Sequence, residues 1–498
     1  MKKSIIYFVI PIALLLVVGC KDYNGDVGNT SQSPNNSEIL IAETANLQFQ
    51  PEDFVNIVYN GRIVGEVNKE GVTSTSTSVL NIVVKLLRNA FSIFVDAHTP
   101  AMDKLFEAEA GVNKQEDHCW QIESYSFNYR SKSARGEDVV LSGRVTFPNH
   151  KTKGLGHQVK SLTLNMHHAL MAAEMMPSKA LDMWTLRSYF NEAVIEPDGQ
   201  GLGTNIDKDY YCTVSANVLA RQMADCTLAA LEVMRQHGVT LADDGHSICT
   251  SCSLGAAVPL EFAKYYETEA SASFRQAVRL NAVYTGSGPV DFESCIRYFS
   301  DHPEFNAMLG KSLIFSLAAL SPEQLYGYQP QDFVNQNLLN TLIEYNGSTM
   351  PYYEAEARYF VNVFGNKEDM PNPKKLSEIL ASDMLGRDGK LDGTNPKTQV
   401  LMRVLAEQNN LSGWLPTTNI YLMHGLQDDG IPVEQARKCY EELSNGGAMP
   451  NVHYHEMWTP LVLSELAKLP KAGIMHIITT LSFLLTYLKE DPSQDFKN

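Results

Sequence analysis

The stretch Thr250–Pro259, TSCSLGAAVP, directly follows GHSIC at 245–249. Ser251, Cys252 and Ser253 put three candidate nucleophiles side by side, between a β-branched run and a run of small residues. Two readings compete. Either one of them is a nucleophile raised on a sharp turn, or a buried strand simply runs into a helix. The residues on either side must decide.

Outward from this stretch, strand and helix patterns alternate. YSFNYRS (125–131) and EDVVLSGRVTFP (137–148) read as strands, with ARGE (134–137) as the turn that joins them. VKSLTLNMHH (159–168) is a buried strand, 170–190 has helical spacing, and EAVIEPDGQGLG (192–203) is the next strand. A helical pattern over 215–238 stops at Gly238. HSICTSCS (246–253) is a strand, LGAAVPLEFAKYYE (254–267) a helix and LNAVYTGSGPVDF (280–292) a strand. Such alternation predicts a parallel sheet with helices on both faces. From 293 to 415 only helical segments appear. The alternation then resumes with TNIYLMHG (418–425), VEQARKCYEEL (433–443), NVHYHEM (451–457) and IITTLSFLLTYLK (477–489). The expected organisation is a core of 119–292 and 416–498, interrupted by a helical cap at 293–415.

The N-terminal region reads differently. Lys2-Lys3, an apolar run from Ile5 to Val18 and a small residue before Cys20 describe an export signal over 1–19. The run is too short for a spanning helix. LVVGC at 16–20 resembles the bacterial lipobox, which implies acylation of Cys20 and a membrane anchor. Residues 20–50, rich in Asn, Ser, Gly and Asp, read as a flexible tether. Lys21 after the Cys resembles lipoproteins sent on to the outer membrane, so the expected location is the bacterial cell envelope. Residues 51–118 hold an amphipathic helical pattern near 79–110. Its polar face is not basic, so it is expected to pack on the core rather than lie on a membrane.

The net charge of −17 is spread along the chain and speaks against a nucleic-acid partner. Beyond Cys20 stand seven scattered cysteines, an odd number that does not describe a disulfide framework. No cofactor and no metal are expected, and the oligomeric state is open.

Chemistry in a parallel sheet sits at the carboxyl ends of its strands. There stand His167 and His168, Asp198, Ser253, Asp428 and, before the last helix, His476. A sharp strand-turn-helix needs small residues two before and two after the nucleophile. Ser251 and Gly255 fill those places around Ser253. Ser253 is then the nucleophile, His476 its base and Asp428 the residue that orients the base. A helix starting at Leu254 would supply one oxyanion donor.

The order Ser253, Asp428, His476 is that of the α/β-hydrolases. FNYRSKSARGEDVVLSGRVTFP (127–148) resembles the opening of secretory lipases and related esterases. VIEPDGQGLG (194–203) resembles their strand end, and IYLMHGLQDDGIPVEQA (420–436) is similar to the segment carrying their acid. The resemblance runs from about 120 to the end and is weakest through the cap. It implies an α/β-hydrolase fold, serine-ester chemistry and a small-molecule ester substrate. Counting from Gly425 and Pro432 within the family segment selects Asp428 over Asp429, which would face solvent or a helix N-terminus. Two features depart from the family. His167-His168-Ala169 stands where His-Gly is usual, which makes the backbone of His168 or Ala169 the second oxyanion donor. His476 also follows a long loop, which leaves His453 and His455 as rivals for the base.

The remaining candidates have quieter readings. Cys252 should point into the sheet as a small hydrophobe, and Cys249-x-x-Cys252 lacks the second pair a zinc site needs. His453-Tyr454-His455 could ligate a metal, but a solvated strand end is the commoner meaning. His424 reads as a structural hydrogen-bonder, and Asp198 as a cap on its own turn. The cap tyrosines (326, 328, 352, 353 and 359) either line a pocket or fill helix cores. Three functions stay open: a lipid-anchored esterase or lipase, a compact serine peptidase, and a non-catalytic binding lipoprotein on the same scaffold.

Overall fold

The computed structural model describes residues 42–49, 121–149, 158–168, 191–302 apart from 207, 310–336 and 376–457. It also describes 176–178, 187–188, 339, 476, 479 and 483. Among the described residues nine strands form one sheet: β1 Ala42–Phe49, β2 Gln121–Lys132, β3 Asp138–Asn149, β4 Gln158–Met166, β5 Glu192–Pro197, β6 Thr240–Cys252, β7 Leu280–Gly286, β8 Asn419–Gly425 and β9 Val452–Met457. Their order across the sheet is β1-β2-β3-β5-β4-β6-β7-β8-β9. β1, β2, β3 and β5 pair antiparallel, and everything from β5 through β9 is parallel.

The burial of each strand follows its position. β4 and β5, inside the sheet, are almost wholly buried, and the buried Glu192 and Glu196 of β5 have partners in Thr163 and Asn165 of β4. β9, at the edge, is buried only at its two ends. The turn between β2 and β3 lies where ARGE predicted it. Gly136 takes φ +81° there, and its N–H donates to the Ser133 carbonyl.

The helices flank this sheet: α1 Ala216–Gln236, α2 Val258–Thr268, α3 Ala272–Val278, α4 Phe292–Asp301, α5 Gly310–Ala319, α6 Pro396–Gln408 and α7 Val433–Leu443. α1 packs on α2 and on β2, and its buried face (Leu219, Met223, Cys226, Ala230, Val233) joins Phe127, Leu162, Leu164 and Phe262 in the main core. Between β7 and β8 the described residues form helices, single turns such as Pro330–Phe333 and Leu376–Ile379, and two isolated bridges, Val334–Leu380 and Leu385–Leu391. They hold no strand, in keeping with the helical pattern of that stretch.

Two expectations are amended. Residues 42–49, assigned to the tether, are strand β1 on the outer edge of β2, because an alternating AETANLQF segment can extend an antiparallel ladder. The helix expected from Leu254 begins at Val258, after a 3₁₀ turn at Ser253–Gly255. Pro259 in its first turn suits that later start, since a ring nitrogen has no N–H to leave unpaired there. The six described cysteines (212, 226, 249, 252, 295 and 439) are buried and unbridged. The export signal, Cys20, the 51–118 segment, most of 170–190 and most of the last helix lie outside the described residues. No helix among the described residues is long and apolar enough to cross a membrane.

β5 and β6 leave β4 in opposite directions, so the strand order reverses at β4. The crevice at the carboxyl ends of such a pair is where α/β sheets bind ligands. The loop after β4 and the turn after β6 both open there.

Candidate active site

β6 delivers Cys252 in extended conformation, and the next residue, Ser253, turns to φ +51°. A left-handed serine costs roughly 1–2 kcal/mol, which the surrounding packing must hold in place. The neighbours explain how. Ser251 is fully buried and donates its hydroxyl to the Met166 carbonyl at 2.7 Å. A buried hydroxyl with a partner is tolerated, and it ties β6 to the end of β4. Gly255 stands so close to the β4 loop that a β-carbon would lie 2.6 Å from the His167 carbonyl. Cys252 is buried, as its reading as a packing residue requires.

The Ser253 hydroxyl lies 2.8 Å from Nε2 of His476. Nδ1 of His476 faces Asp428, 2.9 Å from Oδ2 and 3.2 Å from Oδ1. His476, and not His453 or His455, therefore stands against the serine. His453 instead stacks on the Tyr421 ring at 4.8 Å between centroids. Asp428 is itself oriented: Oδ1 accepts the backbone N–H groups of Gly430 and Ile431 at 2.9 and 2.8 Å. Thr479, one turn beyond His476, places its hydroxyl 3.0 Å from Oδ2 of Asp428 and 3.0 Å from the His476 carbonyl. Sequence reading missed Thr479, although its spacing of three from a helical His marks it as facing the same side. Gly425 makes this approach possible, because a β-carbon there would collide with the Thr479 side chain.

Electrostatics in this buried line are set by mutual charge. Burial works to raise the Asp428 carboxyl, but the His476 charge and hydrogen bond, with His424, outweigh it and hold the carboxyl below its ordinary range. For His476 burial works downward, and the Asp428 charge and hydrogen bond, with Asp429, win and raise the imidazole above its ordinary value. Asp429 does not reach the ring. Its Oδ1 accepts the His476 backbone N–H at 3.0 Å, the helix-terminus role open to it from sequence. Burial pushes His424 down, and its Nε2 donates to the Ile431 carbonyl at 3.1 Å.

Two of the three oxyanion candidates, Leu254 and His168, lie among the described residues. Leu254 follows Ser253 in the 3₁₀ turn. His168 closes the described part of the β4 loop, and burial together with the charge of His167 pushes its ring down to about 4. Ala169 lies outside the described residues. Asp198 departs from its sequence reading. Rather than capping its own turn, its carboxylate is fully buried and accepts from Ser142 Oγ at 2.5 Å, Ser178 Oγ at 2.5 Å and Ser178 N at 2.9 Å. The burial of β5 turns that side chain inward, toward partners on other segments. Among the described residues no cluster of three or more His, Cys, Asp or Glu could hold a metal.

A serine after β6, a carboxylate after β8 and a histidine beyond β9, on a mostly parallel sheet, define the α/β-hydrolase fold. Solved structures agree at the level of fold. A mutant of the rice cell wall degrading esterase LipA from Xanthomonas oryzae superposes with TM-score 0.57 at 17% identity, over 77% of this chain and 93% of the other. A ligand-bound form of that esterase gives 0.56 at 16% identity, covering 80% and 95%. A hydrolase candidate from Legionella pneumophila gives 0.54 at 16% identity, covering 79% and 95%. No protein-family model matches the sequence, and no curated protein does.

Proposed function

We propose that this chain is a serine hydrolase that cleaves carboxylic esters through an acyl-enzyme. The observation that carries the reading is the unbroken line Ser253 Oγ–His476 Nε2 at 2.8 Å and His476 Nδ1–Asp428 at 2.9 Å. Ser253 attacks the ester carbonyl carbon as its proton passes to Nε2 of His476. Asp428 keeps the proton on Nδ1, so that Nε2 offers its lone pair, and stabilises the imidazolium that forms. The negative charge developing on the carbonyl oxygen meets the Leu254 N–H and an N–H of residue 168 or 169. The C–O bond breaks, and the alcohol leaves with the proton from His476. Water then gives its proton to His476 and attacks the acyl carbon, releasing the acid and restoring Ser253.

The esterase named among the fold relatives is described as degrading rice cell wall. An ester substrate here is in keeping with that. The helices between β7 and β8 are proposed to set substrate size, and LVVGC to anchor the enzyme in the envelope through acylated Cys20. Cys20→Ala should then move the protein out of the membrane fraction.

A fluorophosphonate probe should label the wild type and spare Ser253→Ala, and nitrophenyl esters should be turned over by the first alone. Labelling that survives Ser253→Ala sinks the assignment. A wild type that neither labels nor turns over favours the binding lipoprotein. Cleavage of peptide bonds with inert esters favours the peptidase.

A further inference from the structure

Between β7 and α4 the chain passes through Ser287, Gly288, Pro289 and Val290, all buried and outside any strand. Buried backbone groups in such a loop need partners from elsewhere. Ser287 takes φ +48°, a left-handed turn that the surrounding structure must hold, and its N–H donates to the Met423 carbonyl at 2.8 Å. One side chain meets three further groups. Gln435, in the first turn of α7, is 2% exposed. Its Oε1 accepts the N–H groups of Val290 and Asp291 at 2.9 and 3.1 Å, and its Nε2 donates to the Gly288 carbonyl at 3.0 Å. Lys438, one turn on, also reaches Asp291 Oδ2 and Ser294 Oγ at 2.8 Å each, but it is half exposed, and exposed ion pairs hold little. The buried amide is the firmer hold.

Both ends of this bridge lie against the triad. Gly288 sits so close to the elbow that a β-carbon there would collide with the Ser253 carbonyl and the Ala256 side chain. Gln435 stands four residues beyond Ile431, whose N–H donates to Asp428 Oδ1 at 2.8 Å and whose carbonyl accepts from His424 at 3.1 Å. We propose that Gln435 is a positioning residue that sets the spacing between the elbow carrying Ser253 and the loop carrying Asp428. His476 must meet both at once, Ser253 Oγ at 2.8 Å and Asp428 Oδ2 at 2.9 Å, so a shift of either segment lengthens one of the two contacts. Three hydrogen bonds from a helix that starts directly after the acid loop make the two segments move together. Without the amide, two N–H groups and a carbonyl are left unpaired away from water. The left-handed turn at Ser287 then loses its support, and Gly288 draws back from Ser253. The role rests on the ester-hydrolase reading of the site.

The test is nitrophenyl-ester kinetics on the full chain. Gln435→Met, close in volume but without the hydrogen bonds, should lower kcat roughly 10- to 100-fold with KM within about twofold, because a displaced nucleophile is felt in the transition state. Asn451→Leu serves as the comparison for lost stability alone. Its Nδ2 donates to the Pro416 and Thr418 carbonyls at 2.8 Å each, at the amino ends of β8 and β9 and so at the far end of the sheet from Ser253. This variant should lower the melting temperature while kcat stays within about twofold. Gln435→Glu removes the donor without emptying the space. Ionised, the introduced carboxylate accepts from both N–H groups but turns an oxygen toward the Gly288 carbonyl; protonated, it can donate again. Its kcat relative to wild type at the same pH should therefore be low on the alkaline side and recover as pH falls. With an active wild type, a Gln435→Met kcat within about threefold of it overturns the role, and so does a Gln435→Glu loss that does not shrink toward acid pH. A wild type that neither labels with fluorophosphonate nor turns over ester overturns the hydrolase reading instead, and the role falls with it.

Discussion

The carbonyl of Ser253 occupies the space that a β-carbon on Gly288 would need. Gly288 follows β7, so the neighbouring strand closes on the elbow from the side opposite Gly255. The contact is backbone against backbone and has little room to relax. Gly288→Ala should cost about 1–3 kcal/mol of stability by overpacking and lower kcat/KM tenfold or more by shifting Ser253. Thermal unfolding and ester kinetics measure the two effects. A silent Gly288→Ala would show that the elbow tolerates displacement.

Asp428 and Asp429 are adjacent but hold different parts of His476, the ring and the backbone N–H. Asp428→Asn should lower kcat by roughly two to four orders of magnitude, because the ring loses the partner that fixes its tautomer. Asp429→Asn should lose less than about tenfold. Thr479→Val, which removes one hydrogen bond to Asp428, should fall between them. The reverse ranking of the two aspartates would move the acid to Asp429.

As the base of the proposed triad His476 must be neutral to accept the Ser253 proton, and its neighbours raise its affinity for protons. Activity should therefore already be falling as pH drops through a value above the ordinary imidazole pKa of about 6.5. Asp429 is one of the charges responsible, so Asp429→Asn should slide this acid limb to lower pH. A pH–kcat/KM profile of both proteins reads the shift. An acid limb that stays in place would remove Asp429 from the electrostatics of the base.

Burial of Glu261 on α2 pushes its carboxyl from 4.5 up to about 7. Between those values the unfolded chain is ionised while the folded one keeps its proton, so folding takes up a proton and stability falls as pH rises. The contribution is whole below the unfolded value and gone above the folded one. It is worth at most about 3 kcal/mol. Glu261→Gln should flatten the melting temperature across this window and raise it relative to wild type at neutral pH. A wild-type melting temperature that climbs with pH throughout the window would contradict this.

Much of this molecule could be read along the chain because its signals are local. A buried parallel strand is mostly apolar along its length, a turn needs a residue free to take positive φ, and an elbow needs small residues at two places. Hence the strands on either side of Ser253, the β2–β3 turn and the Ser251-x-Ser253-x-Gly255 spacing are visible in the sequence. Asp428 was legible by its distance from Gly425 and Pro432. Other features were not, because they depend on what the fold brings alongside. Strand β1 was hidden in a polar segment, since an edge strand asks little of its side chains. Asp198 read as the cap of its own turn until β5 turned it inward toward Ser142 and Ser178. The choice among His453, His455 and His476 belongs to tertiary structure, which set Thr479, three residues beyond His476, against the end of β8 at Gly425. So does the pairing of both His167 nitrogens with carbonyls, one from its own loop and one from β5. Sequence determines which groups are available at the strand ends. Only packing decides which of them lie within hydrogen-bond reach, since that distance depends on segments hundreds of residues apart, as with the 223 positions between Ser253 and His476.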